Sequence, residues 1–154
     1  MKKILSAFGF IVILIAIAIG RDIGKHVGNK ATSSSELSPQ KIDVYEFARI
    51  GAQQANAELH KGLPNDGVTV SAKAYADDKA IVYENILAIR RDVTESDLKV
   101  WRSGTRSEIV PQACLLLKQT PFFNQGFHFH YRYFDREGRV LDDFLVNRPA
   151  CEGI

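Results

Sequence analysis

The chain has 154 residues, 45% of them hydrophobic and 25% charged, which suits one domain with a modest core and argues against wholesale disorder. Its net charge of +2 is a property of the N-terminus: five of 20 cations (Lys2, Lys3, Arg21, Lys25, Lys30) and one of 18 anions (Asp22) lie in the first thirty residues. The rest carries a net −2, leaving no basic excess to attract a polyanion, so nucleic-acid binding is not expected.

Residues 4–20 are an uncharged apolar run behind Met1, Lys2 and Lys3. As a helix the run spans about 25 Å. That is long for the apolar part of a cleaved signal, usually about 7–15 residues. It is short of the hydrocarbon core of about 30 Å, a gap that snorkelling by Lys3 and Arg21 would close. Retained anchor and cleaved signal are therefore both open, and Ala16-Ile17-Ala18 and Ala18-Ile19-Gly20 offer small residues for cleavage. Ala16, Gly20, Gly24 and Gly28 recur every four residues, a small-side-chain ridge where a second helix could approach, and this favours the anchor. The plainer reading of residues 20–28 is juxtamembrane coil, interrupted by Arg21, Asp22, Lys25 and His26. The absence of a cysteine near the end of the run argues against a lipoprotein anchor.

Residues 31–40 (ATSSSELSPQ) read as a flexible linker. The expected organisation is an anchor or signal over 1–30, a linker over 31–40 and an extracytoplasmic domain over 41–154.

Within that domain, Val44, Phe47, Ala48, Gly51, Ala55 and Leu59 fall at helical spacing and predict a helix over 42–59. Residues 62–67, rich in Gly, Pro, Asn and Asp, make a turn. Alternation over 68–76 and a more apolar run over 80–89 predict two strands joined as a hairpin through Asp77, Asp78 and Lys79. Thr94 caps a short helix that Gly104 is expected to end, and Thr105-Arg106-Ser107-Glu108 has the pattern of a capping box for a second helix running to about Lys118. The clearest hairpin pairs 127–134 with 140–146 across Asp135-Arg136-Glu137-Gly138, Gly138 suiting the left-handed position.

Pairing Asp135 with Arg139 sets Arg132 opposite Asp142. The face carrying Phe127, Phe129, Tyr131, Tyr133, Leu141 and Leu145 would then pack on the helices. Asp143 would share that face, so Tyr131, Tyr133 and Asp143 are the candidate lining of a small-ligand pocket. The opposite face would hold His128, His130, Arg132, Phe134, Val140, Asp142, Phe144 and Val146, too apolar to be only solvated. His128, His130, Arg132, Phe134, Asp142, Phe144 and Val146 are thus the candidate partner face.

The element order predicts an α+β fold: an antiparallel four-stranded sheet with helices packed on one face, preceded by an N-terminal transmembrane or signal helix. This layout resembles small cystatin-like or NTF2-like α+β domains. A helical cysteine, a tyrosine-rich hairpin with an Asp135-x-x-Gly138 turn and a terminal cysteine are similar to many small exported bacterial proteins of unassigned function. The resemblance covers roughly residues 95–151 and implies no catalytic residue; no characterised family is recognised.

Behind an export segment, Cys114 and Cys151 are expected to form a disulfide. His128 and His130 share a strand face and are weak metal candidates, with Asp142 and His60 as further ligands, but zinc needs three or four ligands and no spacing supplies them. No nucleophile motif or phosphate-binding glycine loop occurs, and no catalytic residue or cofactor is expected.

The first expectation is a membrane-tethered, non-enzymatic interaction module of the bacterial envelope. It would be inner-membrane anchored with its domain facing the periplasm or exterior, or else cleaved and secreted to the periplasm. Its partner would be an envelope protein or a second copy. The alternatives are a small-ligand-binding domain and an enzyme of unidentified class.

Overall fold

The computed structural model describes residues 42–63, 68–89 and 93–154. The apolar run, the ridge of Ala16, Gly20, Gly24 and Gly28, and the linker lie outside these residues. No helix among the described residues is long and apolar enough to cross a membrane.

Helix α1 (Val44–Lys61) begins at Asp43, whose carboxylate accepts the Glu46 N–H at 2.8 Å. Its buried stripe is Val44, Phe47, Ala48, Gly51, Ala52, Ala55 and Leu59, the face that the spacing predicts. The small residues bring α1 close to the edge of the sheet. There Asn56 Oδ1 accepts the backbone N–H of Ala74 at 3.2 Å, giving an edge-strand donor a partner.

Strands β1 (Thr69–Asp77) and β2 (Ala80–Leu87) form the expected antiparallel hairpin, with Asp78 at φ 50° in its turn. Helix α2 (Glu95–Gln119) follows, then β3 (His128–Asp135) and β4 (Val140–Val146). Both helices contribute to one buried cluster with Ala74, Ile81, Tyr83, Leu87, Phe129, Tyr131 and Tyr133.

Two expectations are corrected. The segment from Glu95 to Gln119 is one helix of 25 residues, running through Gly104 and Pro111. Thr94 makes the capping box with Asp97, and Thr105 is buried in the core instead of capping a second helix. Leu98, Thr105, Ile109, Ala113 and Leu117 stay in helical phase across Gly104, and this continuous buried stripe outweighs the penalty of about 1 kcal/mol for a glycine in a helix.

The second correction follows from the first. The sheet order is β1-β2-β3-β4, but β2 and β3 are parallel, so the sheet is mixed, not antiparallel. A straight helix of this length spans about 37 Å. It carries the chain back along the sheet, so that His128 starts β3 beside Ala80, the start of β2.

Candidate functional site

The β3–β4 hairpin decides which side chains are available. Its turn is as expected: Asp135 N–H donates to Arg139 O at 3.0 Å, and Gly138 has φ 83°. Asp135 Oδ1 accepts the N–H groups of Glu137 and Arg139, each at 2.9 Å, and Oδ2 accepts Arg139 Nε at 2.9 Å. Burial by itself would raise the Asp135 pKa. The Arg139 and Glu137 backbone donors and the Arg139 guanidinium outweigh it and hold the carboxyl below its ordinary value.

One residue beyond the turn the register slips. Phe134 pairs with Val140, but Tyr133 pairs with Asp142, leaving Leu141 as an extra, bulged residue. A shift of one residue exchanges the faces of everything that follows. Asp142, Phe144 and Val146 therefore lie on the helix-packed side, 4%, 8% and 0% exposed, which corrects their assignment to the partner face. Asp143 and Leu145 move to the outer side. Arg132 stands opposite Asp143, not Asp142.

The inner side is filled by its own side chains. Tyr83, Tyr131 and Phe144 form one row across three strands, with stacked ring centroids 5.2 and 5.3 Å apart. Trp101 of α2 meets Tyr133 edge-on at 5.4 Å. Arg106 lies over the Phe144 ring and grips both carboxylate oxygens of the buried Asp142, its Nε 3.0 Å from Oδ2. Burial pushes the hydroxyls of Tyr83, Tyr131 and Tyr133 well above the ordinary tyrosine range. Tyr131 and Tyr133 are core, and Asp143 is on the other side of the sheet, so these three do not line one pocket.

The outer side carries no helix of the described residues, and its side chains form rows across all four strands. Lys73, Glu84, Arg132 and Asp143 make a row of alternating charge. Lys73 Nζ is 2.8 Å from Glu84 Oε1, Arg132 Nη1 is 3.7 Å from Glu84 Oε2, and Arg132 Nε is 3.3 Å from Asp143 Oδ2. The Tyr75 hydroxyl, 3.4 Å from both Glu84 and Arg132, joins the two. The hydrogen bond that Lys73 donates to Glu84 raises the Lys73 pKa, and that to Tyr75 contributes most to raising the Arg132 pKa.

On one side of the charged row run Tyr75, Val82, His130 and Leu145. On the other run Ser71, Ile86, Phe134 and Val140. Leu145 and Val140 are 46% and 52% exposed.

His130 Nε2 is 2.6 Å from Asp143 Oδ1, and His128 Nδ1 is 3.0 Å from its neighbour's carbonyl, Gly126 O. His60 is at the end of α1, its Nδ1 2.6 Å from Asn56 O. Among the described residues no three His, Cys, Asp or Glu side chains are grouped to hold a metal. Cys114 and Cys151 are joined as a disulfide, with Cα atoms 5.4 Å apart, tying the C-terminal turn to α2.

Of the seven residues expected on the partner face, His128, His130, Arg132 and Phe134 lie on the outer side of the sheet. Lys73, Tyr75, Glu84, Ile86, Val140, Asp143 and Leu145 lie on the same side. The alternation in β1 and β2 already put Lys73 with Tyr75, and Glu84 with Ile86, on one side of their hairpin. Only the strand order joins that side to β3.

No protein-family model matches the chain, and no curated protein matches it. Among solved structures, it is similar to the pilotin EpsS of the Vibrio vulnificus type 2 secretion system, with a TM-score of 0.46 and 14% identity over 70% of this chain and 94% of that one. A likeness of that size does not carry function from one protein to the other.

Proposed function

We propose that the chain is a membrane-tethered, extracytoplasmic interaction module of the bacterial envelope, and that the outer face of its sheet is the binding surface. The observation that carries this reading is the composition of that face. A charged row already paired within the chain is flanked by apolar and aromatic side chains, with Val140 and Leu145 about half exposed. Exposed apolar groups interleaved with polar ones are characteristic of protein interfaces. The apolar run over 4–20 would deliver and hold the domain, and the Cys114–Cys151 disulfide supports an oxidising compartment.

The test is photocrosslinking in intact membranes. A crosslinking residue at Leu145 or Val140 is expected to capture a protein. One at Val100, 69% exposed on α2, is not. Absence of a crosslink from both face positions would overturn the proposal.

A further inference from the structure

We infer that the outer face is shaped to receive a second copy of this chain, stacked face to face about a two-fold axis parallel to the strands and passing between β2 and β3. This rests on the reading of that face as an interface and names its occupant.

The charge order across the sheet selects this axis. Rotation about it reverses the row, so Lys73 of one copy meets Asp143 of the other, and Glu84 meets Arg132. All four charges then face an opposite charge while keeping their lateral partners in their own chain. A two-fold axis lying along the row would instead set each residue against its own equivalent, four like-charged contacts that oppose association. Sequence order has no part in this match, since the four residues come from four strands. Under the same axis the apolar rows also meet: Tyr75 faces Leu145, and Ile86 faces Phe134. Two sheets stacked with nearly aligned strands have an ordinary packing geometry, and the contact is isologous, as two-fold dimers require.

The size of the face sets the strength. Four strands about 4.8 Å apart and about seven residues long present roughly 19 by 23 Å, or about 440 Å² in projection. A standard interface buries about 800 Å² on each partner, so this dimer is of the weak class and gains from confinement. Two copies tethered in one membrane are held at high effective concentration. An axis along the strands, set normal to that membrane, would place both N-termini at the same height.

The experiment uses the full chain, extracted in detergent, and a charge exchange between copies. Arg132→Glu sets Glu84 against a glutamate, and Glu84→Arg sets Arg132 against an arginine. Each variant alone is expected to dimerise about tenfold more weakly or worse, and an equal mixture to recover association as a heterodimer. Leu145→Asp, at an exposed position outside the row, is expected to weaken association without disturbing the fold, checked by circular dichroism. Raised salt is expected to weaken the wild-type dimer.

A wild-type chain that stays monomeric, or a mixture that gains nothing over the separate variants, overturns the second copy as occupant. So does a Leu145 crosslink made only to a different protein, although the face would then remain an interface. No crosslink from Leu145 or Val140 overturns both readings.

Discussion

Asp142 and Asp143 are adjacent in the chain and serve opposite sides of the sheet. Asp142 is buried, and its charge is met by the partly exposed Arg106 guanidinium. Removing that partner leaves a buried carboxylate, so Arg106→Ala is expected to cost about 2–3 kcal/mol in urea unfolding. A cost under about 0.5 kcal/mol would show that water replaces the guanidinium. Asp143 lies exposed between His130 and Arg132, and its exchange for alanine is expected to leave stability within about 0.5 kcal/mol.

Asp135 shows the pH behaviour of a carboxylate held by donors. Its folded pKa lies below the unfolded value of about 3.9, so its contribution is present above that value and lost as pH falls through the folded one. The amide signals of Glu137 and Arg139 are expected to persist at pH 4 and to shift only in more acidic solution. A carboxyl resonance of Asp135 titrating above 4 would contradict this.

Among elements, the β3–β4 hairpin is the most sensitive to backbone change. Gly138 has φ 83° with open space around it, so Gly138→Ala meets no clash and pays only for the left-handed backbone. About 1 kcal/mol of lost stability is expected. Deleting Leu141 is more severe for a different reason. Only the extra residue is removed, so Asp142, Phe144 and Val146 keep their pairing and their side, but the buried Leu141 side chain is lost from the core, and a cost of about 2–5 kcal/mol in urea unfolding is expected.

The disulfide acts between elements, closing 37 residues from α2 to the last turn. Replacing both cysteines with alanine is expected to lower stability by about 3–4 kcal/mol. Equal denaturation midpoints with and without reductant would show the crosslink to be thermodynamically idle.

At the scale of the described residues, the sheet is a divider between a filled aromatic side and a charged side on which no helix of these residues packs. Tyr83, Tyr131 and Tyr133 are buried on the first. Their folded pKa values lie above the unfolded value of about 10, so their contribution is complete below that pH and is lost as pH rises towards the folded values. Absorbance at 295 nm is expected to show these three ionising only together with alkaline unfolding. Smooth titration of all five tyrosines with the fold intact would contradict the packing.

Local features were legible in the amino-acid order: the buried stripe of α1, the first hairpin, the turn at Asp135–Gly138 and the cysteine pair. Each is written in contiguous residues, through periodicity, turn chemistry or simple count. The single helix α2 was also legible in the phase of Leu98, Thr105, Ile109 and Leu117, but Gly104 and the pattern at Thr105–Glu108 suggested a break.

What only the tertiary structure decided was non-local. The long helix returned the chain so that β3 runs parallel to β2. The bulge at Leu141 exchanged the sides of Asp142 and Asp143. Strand order then aligned Lys73, Glu84, Arg132 and Asp143 in one row. A bulge adds one residue with little local signature, yet its effect passes to every side chain beyond it. A row across strands has no sequence spacing at all, because its members become neighbours only when four separate segments pair.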